Sequence, residues 1–161
     1  MILVAYFSAT GETARLAGTL ARAAQADLYE IRPEHPYTAA DLNWHDNQSR
    51  SSVEIKDPAC RPGIAGELPD LTRYDTVFVG FPIWWYQAPR IIETFLASCD
   101  FSGKRVVPFA TSGGSGMGRT EEILKKSCPT KAVFLPGRRF DSGASLAAIR
   151  NWLNALELSK K

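Results

Sequence analysis

Apolar and polar residues alternate between two kinds of spacing along this chain. Four runs dense in β-branched and aromatic residues, 2–7 (ILVAYF), 76–81 (TVFVGF), 105–110 (RVVPFA) and 132–135 (AVFL), are almost continuously apolar. Such runs mark strands covered on both faces. A weaker run, 27–32 (DLYEIR), mixes polar with apolar positions, as an edge strand with one covered face does. Between the runs the spacing becomes helical. Leu16, Ala17, Leu20, Ala21 and Ala24 share one stripe, and Ile91, Ile92, Phe95 and Leu96 share another. Leu146, Ile149, Trp152, Leu153 and Leu156 form a third, which predicts a last helix from about Ser142 to Leu156, ahead of a basic tail at Lys160 and Lys161.

Strand and helix in regular alternation mean a parallel sheet with helices on both faces. Right-handed crossovers through five strands satisfy the doubly wound α/β order 2-1-3-4-5, a three-layer sandwich whose crevice opens between the first and third strands. At 161 residues the whole chain, 1–161, reads as one domain. The stretch 34–70 is its irregular part, polar and rich in proline, with Thr38-Ala39-Ala40-Asp41 placed to cap a short helix. It reads as a surface wrap, although Tyr37 and Trp44 also suit a cover over a ligand or a dimer surface.

Composition narrows the chemistry by exclusion. Cys60, Cys99 and Cys128 are odd in number, far apart and without a Cys-x-x-Cys spacing, so neither a disulfide framework nor a dithiol is indicated. His35 and His45 lack partners at zinc-ligand spacing, and no metal is expected. The apolar start has no basic region before it and is too short for a signal core or a membrane span, so a cytoplasmic location is expected. A net charge of +2 is too mild for a nucleic-acid footprint, and Lys104-Arg105, Lys125-Lys126 and Arg138-Arg139 read as solvated surface pairs.

The unusual residues gather where the topology puts the crevice. Ser8, Ala9, Thr10, Gly11, Glu12 and Thr13 follow the first strand and run straight into a helix. Unpaired N–H groups and the positive end of the helix dipole favour an anion there. Three hydroxyls, Ser8, Thr10 and Thr13, add donors, Gly11 admits close backbone approach, and Glu12 can offer its N–H while its carboxylate faces water. Helix capping alone needs fewer hydroxyls than this. Neither a Gly-Lys-Ser/Thr loop nor Gly-x-Gly-x-x-Gly follows the strand, so a neutral loop around one phosphate monoester is the reading.

That hexad resembles the Ser/Thr-x-Thr-Gly-x-Thr phosphate loop of flavodoxins. Gly80-Phe81-Pro82-Ile83-Trp84-Trp85 and the run from Thr111 and Ser112 through Gly113, Gly114, Ser115, Gly116, Met117 and Gly118 are similar to the second and third loops of a flavodoxin-like subgroup. The resemblance spans nearly the whole chain. It implies FMN, with its phosphate on the first loop and its ring between the other two. Pro82, Ile83, Trp84, Trp85 and Tyr86 would supply flat apolar faces for the ring, and alternation sends one tryptophan towards it and the other into packing. Thr111, Ser112, Gly113, Gly114, Ser115 and Gly116 would bring bare N–H groups to its polar edge. A serine nucleophile at Ser115 fails, because Met117 fills the small-residue position of a nucleophile elbow and no histidine follows. A receiver-type signalling domain fails for want of carboxylates after strands one and three.

Two functions follow from the resemblance. One is an oxidoreductase that passes electrons through FMN from NAD(P)H to a small acceptor such as a quinone. The other is a non-catalytic electron carrier between protein partners, for which the sequence pI of about 8.5 is unusual beside the acidic carriers of the family. No side chain is assigned an acid or base role, since the flavin carries the chemistry. The resemblance also implies a peptide in the second loop that turns its carbonyl towards flavin N5 in one-electron chemistry. Residues 82–89 contain no glycine, which predicts that a left-handed backbone is avoided there and that electrons move in pairs.

Overall fold

The computed structural model describes residues 1–112, 117, 120–129, 131–141 and 143–156. Strands β1 (Ile2–Tyr6), β2 (Asp27–Glu30), β3 (Thr76–Pro82), β4 (Arg105–Thr111) and β5 (Val133–Phe134) pair in the parallel order β2-β1-β3-β4-β5. This is the order expected from the apolar runs. Helices α1 (Glu12–Ala24) and α5 (Leu146–Leu156) cover one face of the sheet. On the other lie α3 (Arg90–Ser98) and α4 (Thr120–Ser127), and the end of α2 (Arg50–Lys56) is bonded to α3 through Arg90.

Strand alternation sorts the core into two clusters. Leu3, Ala5, Phe7, Val77, Val79 and Phe81 face α3, whereas Val4, Phe78, Val107 and Phe109 face α1 and α5. Gly80 continues the second set, and its missing side chain makes room for a ring: a Cβ there would lie 2.2 Å from Phe109 Cζ. Gly80→Val is therefore expected to cost about 2–3 kcal/mol through overpacking, measured by urea unfolding. A loss under 0.5 kcal/mol would show that Phe109 moves aside freely.

Four expectations are corrected at the level of elements. The fifth strand is broken in two. After β5 the chain bulges by one residue, as the register passes from Val106↔Phe134 to Phe109↔Arg138, and a further short strand β6 (Arg138–Phe140) rejoins β4. Pro136 has no N–H for the ladder, and the Gly137 N–H donates instead to Glu121 Oε1 at 2.8 Å. The last helix starts at Leu146 because Ser145 Oγ accepts from the Ala148 N–H; Ser142 lies outside the described residues. Thr38 and Asp41 do make the reciprocal bonds of a capping box, at 3.0 and 3.1 Å, but they close turns only. The helix of this stretch is α2, capped by Ser49, whose oxygen accepts from the Ser52 N–H. Its mixed composition, RSSVEIK, hid it from the apolar pattern. It buries Ser51, Ser52 and Ile55, so this part of the segment packs inward rather than merely wrapping.

Candidate functional site

The first loop does what a phosphate cradle requires at its backbone. Gly11 is the N-cap of α1 with φ +93°, in the left-handed region that glycine enters without steric cost, and no side chain caps the helix. The first backbone bond into the helix is Arg15 N–H to the Gly11 carbonyl at 3.1 Å. The N–H groups of the first turn are therefore left to another acceptor. Ser8 and Ala9 are half-buried, while Thr10, Gly11 and Glu12 are exposed. Ser8 Oγ accepts from the Gly11 N–H at 3.1 Å and preshapes the loop.

Thr13 departs from its expected part. Its side chain is 1 % exposed, and its hydroxyl is bonded to that of Thr111, at 2.8 Å, across 98 positions of sequence. Thr111 prolongs the Val107 and Phe109 face of β4 and so points to the α1 side. The hydroxyl pair ties the first loop to the end of β4, leaving Ser8 and Thr10 as the hydroxyls of the loop that remain near the surface.

The second loop contains the sharpest local correction. Trp84 N–H donates to the Gln87 carbonyl at 2.8 Å and Gln87 N–H to the Trp84 carbonyl at 3.0 Å, closing a two-residue turn. Its central residues, Trp85 and Tyr86, have φ of +52° and +64°, the pattern of a type I′ turn. The expected avoidance of left-handed backbone is overturned, and with it the basis for paired electrons. Asn-Gly is the usual content of such a turn. Placing two bulky aromatics there costs on the order of 1–2 kcal/mol per residue, held by the hydrogen-bonded pair around it.

This turn also separates the tryptophans. Trp84 packs edge-on against Phe7 and Tyr37, with centroids 5.8 and 5.3 Å away. Trp85 and Tyr86 remain 41 % and 65 % exposed. Pro82 and Ile83 are half-buried at the end of β3, and the Ile83 N–H is bonded to the Thr111 carbonyl, which joins the second loop to the third.

Of the third loop, Thr111 and Ser112 are described, whereas Gly113, Gly114, Ser115 and Gly116 lie outside the described residues. Ser112 is held from an unexpected side. Arg139, read from sequence as solvated, is half-buried on β6 and donates to Ser112 Oγ at 2.9 Å, to the Ser112 carbonyl at 3.2 Å and to Asp141 at 3.0 Å. Its place opposite Ala110 in the sheet register puts it there. Only an apolar strand signal around Phe140 could have hinted at it.

Tyr37 closes the β1 side. Its hydroxyl donates to Glu54, the Arg50 guanidinium lies 3.8 Å from its ring centre, and Phe7 meets it edge-on at 5.6 Å. Burial and the neighbouring Glu54 carboxylate push its phenol well above the ordinary range, so it stays protonated and donating. Beside it a cavity of about 480 Å³ opens along Phe7, Ser8, Ala9 and Pro36. Trp44, the other aromatic singled out, is exposed and stands edge-on to Trp85 at 6.4 Å.

A further polar assembly lies beneath the turn, and nothing in the sequence pattern announced it. Arg90 and Glu93, 4 % and 3 % exposed, pair at 2.7 Å. Arg90 also donates to the carbonyls of Ile55 and Glu54 at the end of α2. Glu93 accepts from Ser127 on α4 at 2.8 Å and meets Arg61 at 3.1 Å. Three helices and the 57–62 turn are thus joined at one buried point.

A phosphate and a flat ring both fit this edge of the sheet: the helix N-terminus is uncapped behind β1, and uncovered aromatic faces stand at the end of β3. Among the described residues no cluster of His, Cys, Asp or Glu could hold a metal, and no helix is long and apolar enough to cross a membrane. No curated protein matches the sequence. Among solved structures, a candidate flavoprotein of Bacteroides eggerthii DSM 20697 is 50 % identical, with 98 % of each chain covered and a TM-score of 0.91. Another, of Bacteroides uniformis ATCC 8492, is 50 % identical, with 95 % of this chain and 97 % of that chain covered and a TM-score of 0.90. A flavoprotein in complex with FMN from Lactobacillus acidophilus NCFM is 21 % identical over 86 % of this chain and 91 % of its own, with a TM-score of 0.68, a likeness that carries the fold. A family model described as Flavodoxin matches residues 1–156. With the sheet order, the loop placement and a family match over almost its whole length in agreement, the chain belongs to the flavodoxin family.

Proposed function

We propose that this protein holds FMN at the C-terminal edge of the sheet and is an oxidoreductase that passes electrons from NAD(P)H to a small acceptor such as a quinone. The observation that carries the FMN assignment is the uncapped start of α1 directly after β1, with Gly11 left-handed and the first-turn N–H groups free for an anion. Ser8, Ala9, Thr10, Gly11, Glu12 and the Thr13 backbone would hold the phosphate. Pro82, Ile83, Trp84, Trp85 and Tyr86 would shape the ring site, with Trp85 and Tyr86 offering faces and Trp84 backing them. Ser112, steadied by Arg139, would serve the polar edge, and Thr111 would brace it from the end of β4 through its bonds to Thr13 and Ile83. When bound, FMN supplies the redox chemistry; the chain orients it and limits its contact with water.

A reductase is favoured over a carrier by charge. The net charge of +2 lacks the acidic excess that suits docking on basic redox proteins. The chain would fold as one domain and work in the cytoplasm. Stopped-flow mixing of the FMN-loaded protein with NADPH and NADH tests this reading: rapid bleaching of the flavin is expected, and bleaching over many minutes would return the carrier reading.

The two tryptophans separate the ring site from packing. Trp84→Ala is expected to lose about 3 kcal/mol of stability through a partly filled cavity beside Phe7 and Tyr37. Trp85→Ala should leave stability within about 1 kcal/mol while changing the flavin absorption spectrum and FMN affinity. An unaltered spectrum in Trp85→Ala would place the ring away from this turn.

A further inference from the structure

A groove of about 910 Å³ runs below the Trp84 to Gln87 turn, between the end of α2, α3 and α4. Its volume falls in the roughly 300–1,000 Å³ range of small-molecule sites. Four cations, Lys56, Arg61, Arg90 and Lys126, line it against one carboxylate, Glu93, and Trp85 and Tyr86 stand along it. Glu93 is already occupied by Arg90, Arg61 and Ser127, and Arg90 is spent on Glu93 and two carbonyls. That leaves two exposed ammonium groups. Lys56 has only a 3.4 Å contact to Asn47 Oδ1 and stands 6.0 Å from the Trp85 ring, and neither lysine has a carboxylate within ion-pair distance among the described residues. Asp57, next to Lys56, turns its carboxylate onto the Ala59 N–H instead. Glu122, a turn before Lys126, does not line the groove.

Both lysines close the last turns of their helices, where the dipole favours a cation. That accounts for lysine at those positions. It does not account for two uncovered aromatic side chains on costly backbone facing the same space. A surplus of positive charge together with flat apolar faces is complementary to a molecule that carries phosphates and a planar base.

We propose that this groove binds the phosphate-bearing part of a dinucleotide electron donor, given an FMN oxidoreductase fed by a diffusible donor. The diphosphate is drawn by Lys56 and Lys126, and a base rests on the side of Trp85 or Tyr86 turned to the groove, the opposite side being left for the flavin ring. The turn forms the wall shared with the ring site, so a donor seated here lies beside the cofactor without competing for the Ser8 to Thr13 loop.

The test uses the FMN-loaded protein and its Lys56→Glu/Lys126→Glu double variant, each titrated calorimetrically with NADP⁺, which carries the same phosphates but cannot reduce the flavin. Binding to the unaltered protein that weakens as salt rises, and a loss of at least tenfold in the variant with FMN affinity unchanged, is the expected result. Equal binding to both proteins, or none to the unaltered one, overturns the groove. Lysine-dependent binding of NADP⁺ without bleaching by NADPH upholds the groove and removes the NADPH-oxidoreductase reading. If FMN is not retained, the cofactor assignment fails, and the same titration on the apoprotein still decides the groove.

Discussion

Arg90→Met is expected to lower the unfolding free energy by about 3–5 kcal/mol, the cost of breaking a buried ion pair from one side. The guanidinium is nearly fully buried and each of its three nitrogens donates: to Glu93 at 2.7 Å, and to the carbonyls of Ile55 and Glu54. Without it, two carbonyls at the end of α2 lose their donor, and the Glu93 carboxylate keeps only Ser127 and the half-exposed Arg61. Arg61 compensates in part, which puts the loss towards the lower end of the range. Adding Glu93→Leu should restore a share of the stability, because the attraction within such a pair does little more than offset its desolvation. The orphaned carbonyls keep recovery incomplete. Urea unfolding of the two variants gives both numbers, and amide hydrogen exchange should show residues 50–56 losing protection first. If Arg90→Met unfolds within 1 kcal/mol of the unaltered protein, the assembly does not hold α2 in place.

FMN is expected to bind at least roughly 10²-fold more tightly than riboflavin. Hydrogen bonds to a charged group are worth about 1.5–3 kcal/mol each, and loss of two of the bonds at the α1 N-terminus amounts to some 3 kcal/mol or more. Flavin fluorescence quenching measures both affinities, and equal values would remove the phosphate site. The same titration separates the roles within the loop. Thr10→Ala should weaken FMN by about 1–3 kcal/mol and leave riboflavin alone. Gly11→Ala meets nothing within 4 Å of its new Cβ, so its cost is the φ of +93° itself, about 1–2 kcal/mol, and should fall on FMN binding and loop order together. Thr13→Ala differs in kind: it strands the buried Thr111 hydroxyl and should reduce stability, with Thr13→Ser restoring it.

These contrasts mark how far residue patterns reach. Continuous apolar runs become β1, β3 and β4 because a strand covered on both faces needs nothing else to be recognised. Strand-helix alternation and crossover handedness then leave few orders for the sheet. The Ser8 to Thr13 loop was legible for a similar reason, since a helix start after a strand, with glycine at its cap, is a local feature. α2 was not legible. Its residues are mostly polar, and its last carbonyls are met by Arg90 reaching back from α3, a partner 35 positions away in sequence.

The sequence alone determined the five parallel strands and their order, and it marked the loop after β1 as the candidate anion site, because each follows from the spacing of neighbouring residues along the chain. Tertiary structure decided which side chains remain available there. It committed Thr13 to Thr111, brought Arg139 to Ser112 and drove Trp85 and Tyr86 into a left-handed turn, leaving their faces uncovered. Each of these depends on a partner in another strand or on closure of the turn by its flanking pair, and such pairings carry no periodicity to read.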